Sequence, residues 1–271
     1  MVPQLGLVEK GYGAEEYETK DVDLLTAANF HPEYLKINPN GTVPSLTAAS
    51  LDKPLIESAD VLTYLDQKRP NSGVELTPKD QKTQEIVQKL VDLVHSGALS
   101  TNLILLMARD KEEFQAKQSS MWKDFVGTRQ KVLEQNRAEH PDHEFYGAKT
   151  VENGTLNDLY TSSEVGPGHE GFFAHSREGY QTFAEGLAKL DSLLVLPYAA
   201  GKEVTLADLH IVPWLAHAMW GAGASDVDDF GPLEELVQKT VPGFKVGGKI
   251  RQWWSTFGQR ESFRKIYPAL H

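Results

Sequence analysis

Ile37-Asn38-Pro39-Asn40-Gly41-Thr42-Val43-Pro44 decides how this 271-residue chain is read. A loop carrying Asn-Pro-Asn-Gly runs into a proline directly ahead of a short strand candidate, Pro44–Ala48. That context marks Val43–Pro44 as a candidate cis peptide, because cis bonds are essentially confined to X-Pro. A cis bond there turns the Val43 backbone outward, where its N–H and C=O can pair with an extended ligand as an added strand would. A dozen residues on, Leu55-Ile56-Glu57-Ser58-Ala59-Asp60 closes a second strand candidate, Lys53–Ile56, and opens a helix. Ser58 as helix cap, with the N–H groups of the first turn, forms an anion site. Glu57 offers a partner for an ammonium group. Such a site suits the amino-acid end of a peptide. Taken singly, Ser58 reads as a plain cap, Glu57 as a solvated turn residue and Pro44 as an ordinary trans proline; their joint spacing favours the ligand reading.

Around this pair the chain changes character at Arg69-Pro70-Asn71-Ser72-Gly73, where proline and glycine stop a helix running from Ser58 to Arg69. Before it lie the last turns of a helix closed by Gly11, a β-rich stretch Tyr17–Leu24 read as a strand, a short helix Thr26–Leu35, and the two strands already named. After it, apolar residues recur at helical spacing from Asp80 to Arg109, predicting one long helix, and from Lys111 to Arg137. Residues 139–171 are rich in Gly, Pro, His, Asn and Ser without a sustained period, and read as a long loop, either functional or mobile. Helical spacing resumes at Phe172–Leu194. Thr205-Leu206-Ala207-Asp208 has the pattern of a capping box, with Pro213 inside the helix it opens. One or two further helices carry Trp253, Trp254, Phe257, Phe263 and Tyr267.

Bulk composition narrows the classes. Hydrophobic residues at 40% and charged residues at 24% are ordinary for a globular protein. With 27 basic against 38 acidic residues, net charge is -11, the wrong sign for a nucleic-acid partner. The absence of cysteine excludes disulfides, thiolate metal sites and a cysteine nucleophile. His140, His143 and Glu144 lie in a polar stretch with no helical His pair, so no metal is expected. No apolar run approaches the ~20 residues that span a bilayer, and no secretory leader is visible. A cytoplasmic protein without a membrane partner is expected.

Ile37–Leu46 resembles the Asn-Pro-x-Gly-x-Val-Pro segment of glutathione transferases. Leu55-Ile56-Glu57-Ser58, followed by Val61-Leu62-x-Tyr64-Leu65, resembles their Glu-Ser helix. Thr205-x-Ala207-Asp208-Leu209 with Pro213-Trp214-Leu215 resembles the capped helix of their C-terminal domain. The likeness covers nearly the whole chain, with the middle loop as an insertion. It implies an α/β thioredoxin-like domain at 1–70, a linker at 71–79 and an all-α helical-bundle domain at 80–271. Glutathione is implied as cosubstrate: Val43 and Pro44 would hold its cysteinyl backbone, and Glu57 and Ser58 its γ-glutamyl end. Asn29, His31 and Lys36 become candidates for its glycyl carboxylate. The reaction implied is attack of the glutathione thiolate on a small hydrophobic electrophile, or on an ether, by a homodimer. The helical domain would hold the electrophile, with His217 and Trp220 bordering its pocket.

One departure matters. The family's thiol-activating Ser, Tyr or Cys lies on a strand and loop ahead of its first helix, and that strand is interior to the sheet. This sequence begins within the helix, so the catalytic residue is unknown and Tyr17–Leu24 lacks a strand partner. A natural start upstream of Met1 is the expectation. Tyr12 and Tyr17 fall after the helix and read as packing residues. Two other functions compete with the enzyme: a non-catalytic binding or regulatory protein of the same fold, as among nitrogen regulators, and an interaction domain like those on translation factors.

Overall fold

The computed structural model describes residues 1–71 and 73–270, so Ser72 of the breaker cluster lies outside the described residues, as does His271. Among the described residues there are thirteen α-helices: α1 (Val2–Glu9), α2 (Pro32–Leu35), α3 (Ser58–Lys68), α4 (Gln81–Val94), α5 (Asn102–Leu106), α6 (Lys111–Gln118), α7 (Met121–Glu139), α8 (Glu144–Thr161), α9 (Pro167–Leu193), α10 (Leu206–Gly221), α11 (Gly231–Gln238), α12 (Gly248–Phe257) and α13 (Glu261–Ile266). The chain forms two compact units. One contains 1–17, 58–105 and 177–271; the other contains 18–57 and 106–176.

In the first unit α1 ends as its sequence predicts. Gly11 adopts φ +67°, and the N–H groups of Gly11 and Tyr12 donate to the carbonyls of Val8 (3.0 Å) and Leu7 (2.9 Å), the paired bonds of a glycine-closed helix end. Behind it α3 buries Val61, Leu62 and Leu65. Leu5 and Leu62 are fully buried in one core, each stabilising the fold by about 1.5–3 kcal/mol. Lys10 is buried too. Its ammonium donates to Asp66 at 2.8 Å and to the Val74 carbonyl at 2.7 Å, while Asp66 accepts from Leu76 and Thr77 N–H. Asp208 accepts from the N–H of Thr205 (2.8 Å) and of Ala199 (2.7 Å) and from Trp253 Nε1 (2.7 Å). The capping box at the start of α10 thus also fixes a core tryptophan. Pro213 lies inside α10, which continues through it. Tyr12 donates to the Leu65 carbonyl at 3.0 Å and lies under the Arg69 guanidinium, a packing role.

Several expected elements differ. The single helix over Asp80–Arg109 is broken: α4 ends at Val94, because the Ser96 hydroxyl and N–H both turn back onto the Leu93 carbonyl. A 3₁₀ turn, Gly97–Leu99, and the short α5 follow. Tyr17–Leu24 is not a strand. All of it except Tyr17 and Val22 is exposed, and its acidic side chains give no apolar face to bury. Pro44–Ala48 and Lys53–Ile56 meet only at one antiparallel bridge, Leu46–Leu55, with N–H···O distances of 2.8 and 2.9 Å. Pro44 has no N–H to extend the ladder, and the Ala48 carbonyl is taken by Leu51 N–H in the turn. The other isolated bridge, Val195–Ala200, is parallel. The sheet of a thioredoxin-like domain is therefore not formed among the described residues. Thr26–Leu35 is a 3₁₀ turn, Ala28–Phe30, followed by the one-turn α2.

The second unit holds the largest correction. Residues 139–171 are not a loop: α8 fills 144–161, and α9 starts at 167. The reason is chemical. The inward positions of α8 are Tyr146, Thr150, Asn153, Asn157 and Tyr160, spaced four, three, four and three residues apart as a helix face requires. They are polar or aromatic rather than aliphatic, so hydropathy shows no period. Asn153 donates to Gln130 Oε1 (2.9 Å) and to the Val126 carbonyl (3.2 Å), both on α7. The Lys111–Arg137 helix is split at Ser119-Ser120, where the Ser120 hydroxyl accepts from Trp122 N–H and opens α7.

Candidate functional site

The opening stretch is built around Asn38, which is fully buried. Its amide donates to the Thr42 carbonyl at 2.7 Å and to the hydroxyls of Thr42 and Ser45, while its oxygen accepts from Asn40 N–H at 3.0 Å. Tyr34 on α2 donates to the same Thr42 carbonyl at 2.5 Å. Gly41 has φ +60°, and its carbonyl accepts from Asn29 at 2.6 Å. A Cβ at Gly41 would lie 2.7 Å from the Phe145 ring of α8, so the loop rests on that helix. Tyr146 donates to the Phe30 carbonyl at 2.8 Å, and Ala27, Phe30, Leu35, Leu133 and Tyr146 form a small core beneath.

At the end of this braced loop Val43–Pro44 is cis. Val43 is 42% exposed, and neither its N–H nor its C=O has a hydrogen-bond partner among the described residues. What such an edge can do chemically is pair with the main chain of an extended ligand.

The remaining sequence candidates fall as follows. Asn29, Lys36, Pro44 and Glu57 share the unit of Val43, and Glu57 is exposed. Ser58, the next residue in the chain, is the first residue of α3 and half-buried. Asn29 is buried, its amide committed to Gly41 and its oxygen without a partner. His31 accepts from Glu33 N–H and starts α2. Lys36 pairs with Glu33 at 2.5 Å, and that hydrogen bond holds the exposed Glu33 below the usual carboxylate range. His217 and Trp220 stack on each other, ring centroids 5.7 Å apart.

Sequence reasoning missed the bracing roles of Asn38 and Tyr34 and the contact between Phe145 and Gly41. Asn38 was legible in principle, since Asn-Pro-Asn-Gly is a turn whose first asparagine can bond its own backbone two residues on. The contact of Phe145 with Gly41 gave no local signal, because the two residues lie far apart in the chain. Among the described residues no group of three or more His, Asp or Glu side chains is placed to hold a metal; His143 packs its ring 4.8 Å from Tyr146 instead. No helix among them is long and apolar enough to cross a membrane.

Residues 1–73, which include the whole braced loop and the start of α3, match the family model described as Glutathione S-transferase, N-terminal domain. This part of the chain is similar to the N-terminal domain of glutathione transferases. A Dictyostelium discoideum glutathione S-transferase domain-containing protein is 43% identical over 54 residues, covering 19% of this chain and 21% of that protein. Glutathione S-transferase F13 of Arabidopsis thaliana is 21% identical over 94% of this chain and 85% of its own length. The first of the curated relatives are matched over less than half of their length. The β-etherase LigF of Sphingobium sp. strain SYK-6 superposes with a TM-score of 0.62, at 18% identity, covering 98% of this chain and 93% of that one. That likeness shows the glutathione transferase fold, with its helical C-terminal part.

Proposed function

We propose that this chain binds glutathione and joins it through its sulfur to a small hydrophobic electrophile. The observation that carries the reading is the Val43 main chain, unpartnered and exposed at the end of a loop braced by Asn38 and Tyr34. It can pair with the cysteinyl backbone of glutathione, with Pro44 beside it. Glu57 and Ser58 take the ammonium and carboxylate of the γ-glutamyl end; His31 and Lys36 serve the glycyl carboxylate, while Asn29, buried with its amide on the Gly41 carbonyl, holds the loop. Residues 1–70 then supply the glutathione half and 80–271 the electrophile half, joined by 71–79. In the reaction the thiol loses its proton, a sulfur–carbon bond forms and the leaving group departs. An ether is a second acceptor class, supported by the etherase among the structural relatives. Similarity to glutathione transferases further favours a homodimer in the cytoplasm.

Retention on immobilised glutathione with release by free glutathione, plus thioether formation from a chlorodinitroarene, tests the proposal. Both are expected. Retention without turnover of any electrophile supports the regulatory alternative, and no retention overturns the site.

A further inference from the structure

The electrophile's own chemistry is legible in one side chain that the site above does not use. Arg129 lies on α7 with its guanidinium carbon 4.1 Å from the Phe30 ring centroid and 4.9 Å from that of Phe125. Phe30 packs at a tilt against Phe145, centroids 5.4 Å apart, and Phe145 is the ring that backs Gly41 of the loop. Aromatic faces hold a guanidinium flat and partly desolvated while leaving its N–H edge free. That edge is unused: Arg129 makes no hydrogen bond or ion pair among the described residues, and none of its nitrogens is among the buried polar atoms lacking a partner, so they meet solvent. Glu152 is the acidic group that acts on it, and Glu152 is already paired with Lys149 at 2.8 Å. In a chain of net charge -11, this cation keeps a planar edge open to an anion of matching fork geometry.

We infer that Arg129 is a specificity-determining residue that binds a carboxylate on the electrophile, so that the acceptor class is an organic acid with an apolar body. The inference rests on the transferase reading above. It places the carboxylate on the electrophile rather than on glutathione because α7 lies in the helical part of the chain, to which the electrophile is assigned. The planar guanidinium edge meets a carboxylate through two parallel N–H···O bonds, and the half-buried Phe125 ring beside it accepts the apolar body.

Steady-state kinetics with glutathione and a carboxylate-bearing aryl halide, set against its neutral methyl ester, test this on wild type, Arg129→Gln and Arg129→Lys. The glutamine variant is expected to raise KM for the acid about 10- to 100-fold, the scale of charge-assisted hydrogen bonds. Its KM for the ester should stay within about twofold, and the lysine variant should recover part of the loss. Equal losses on acid and ester overturn the inference. A loss confined to KM for glutathione also overturns it, by assigning the cation to glutathione's own carboxylate. A second arm needs no turnover: calorimetric titration of an unreactive aryl carboxylate, without glutathione, into wild type and Arg129→Gln. Binding at least about tenfold weaker in the variant supports the site; equal binding, or none to wild type, refutes it. If neither halide is turned over but the second arm succeeds, the transferase reading fails and the anion site stands.

Discussion

Asn38 shows how one residue sets a binding loop. A buried amide that satisfies a carbonyl, two hydroxyls and a backbone N–H ties Asn40, Thr42 and Ser45 to one point. Asn38→Ala should lower stability by about 2–3 kcal/mol, measured by urea unfolding, and weaken retention on immobilised glutathione. Gly41→Ala tests the support from α8. Positive φ and a Cβ 2.7 Å from Phe145 should together cost about 1–3 kcal/mol. An unchanged unfolding midpoint for Gly41→Ala would show that the loop and Phe145 do not share this contact. At this scale the sequence was informative where a residue acts on its neighbours, as with the cis Val43–Pro44 bond and the cap at Thr205. It was silent where the partner is distant: nothing near Gly41 announces Phe145, and nothing near Arg129 announces Phe30.

Elements were legible in proportion to how apolar their inward faces are. The helix at 58–68 was read to within a residue because Val61, Leu62 and Leu65 mark its face. α8 was missed because Tyr146, Thr150, Asn153 and Asn157 bury hydrogen-bonding groups instead, and a polar stripe has no hydropathy signal. The expected strands were misjudged for a different reason. β-favouring residues give a strand only when a partner ladder satisfies them, and here the ladder stops at Pro44 after a single bridge. Two substitutions probe these elements. Tyr146→Phe strips the donor from the Phe30 carbonyl and should cost about 1–2 kcal/mol in urea unfolding. Asp208→Ala leaves the N–H groups of Thr205 and Ala199 and Trp253 Nε1 without their buried acceptor. A loss above about 3 kcal/mol is expected, seen as a chain that fails to give a cooperative thermal transition.

For the whole molecule, the pH response follows from Asp66. Burial alone would raise its pKa, but the Lys10 ammonium and the N–H groups of Leu76 and Thr77 outweigh that and hold it below the ordinary aspartate value. A carboxyl depressed in the folded state contributes stability at pH above its unfolded value and loses it as pH falls through the folded one. Wild type should therefore lose thermal stability on acidification below about pH 4, and the Tm gap to Asp66→Asn should narrow as it does. A gap that stays constant across that range contradicts the assignment. The overall reading as a glutathione-transferase-fold protein was available from three short motifs, each a local pattern; α8, which packs on the helix read at 111–137, was not, since its sequence looks like a loop.

Calorimetric titration of glutathione is the most direct test of the central claim. Wild type should bind glutathione saturably, one per chain, and bind Cys-Gly, which lacks the γ-glutamyl group, far more weakly. Glu57→Gln with Ser58→Ala should reduce glutathione binding to the Cys-Gly level. Equal affinity of wild type for the two peptides, or no saturable heat with glutathione, would contradict the account.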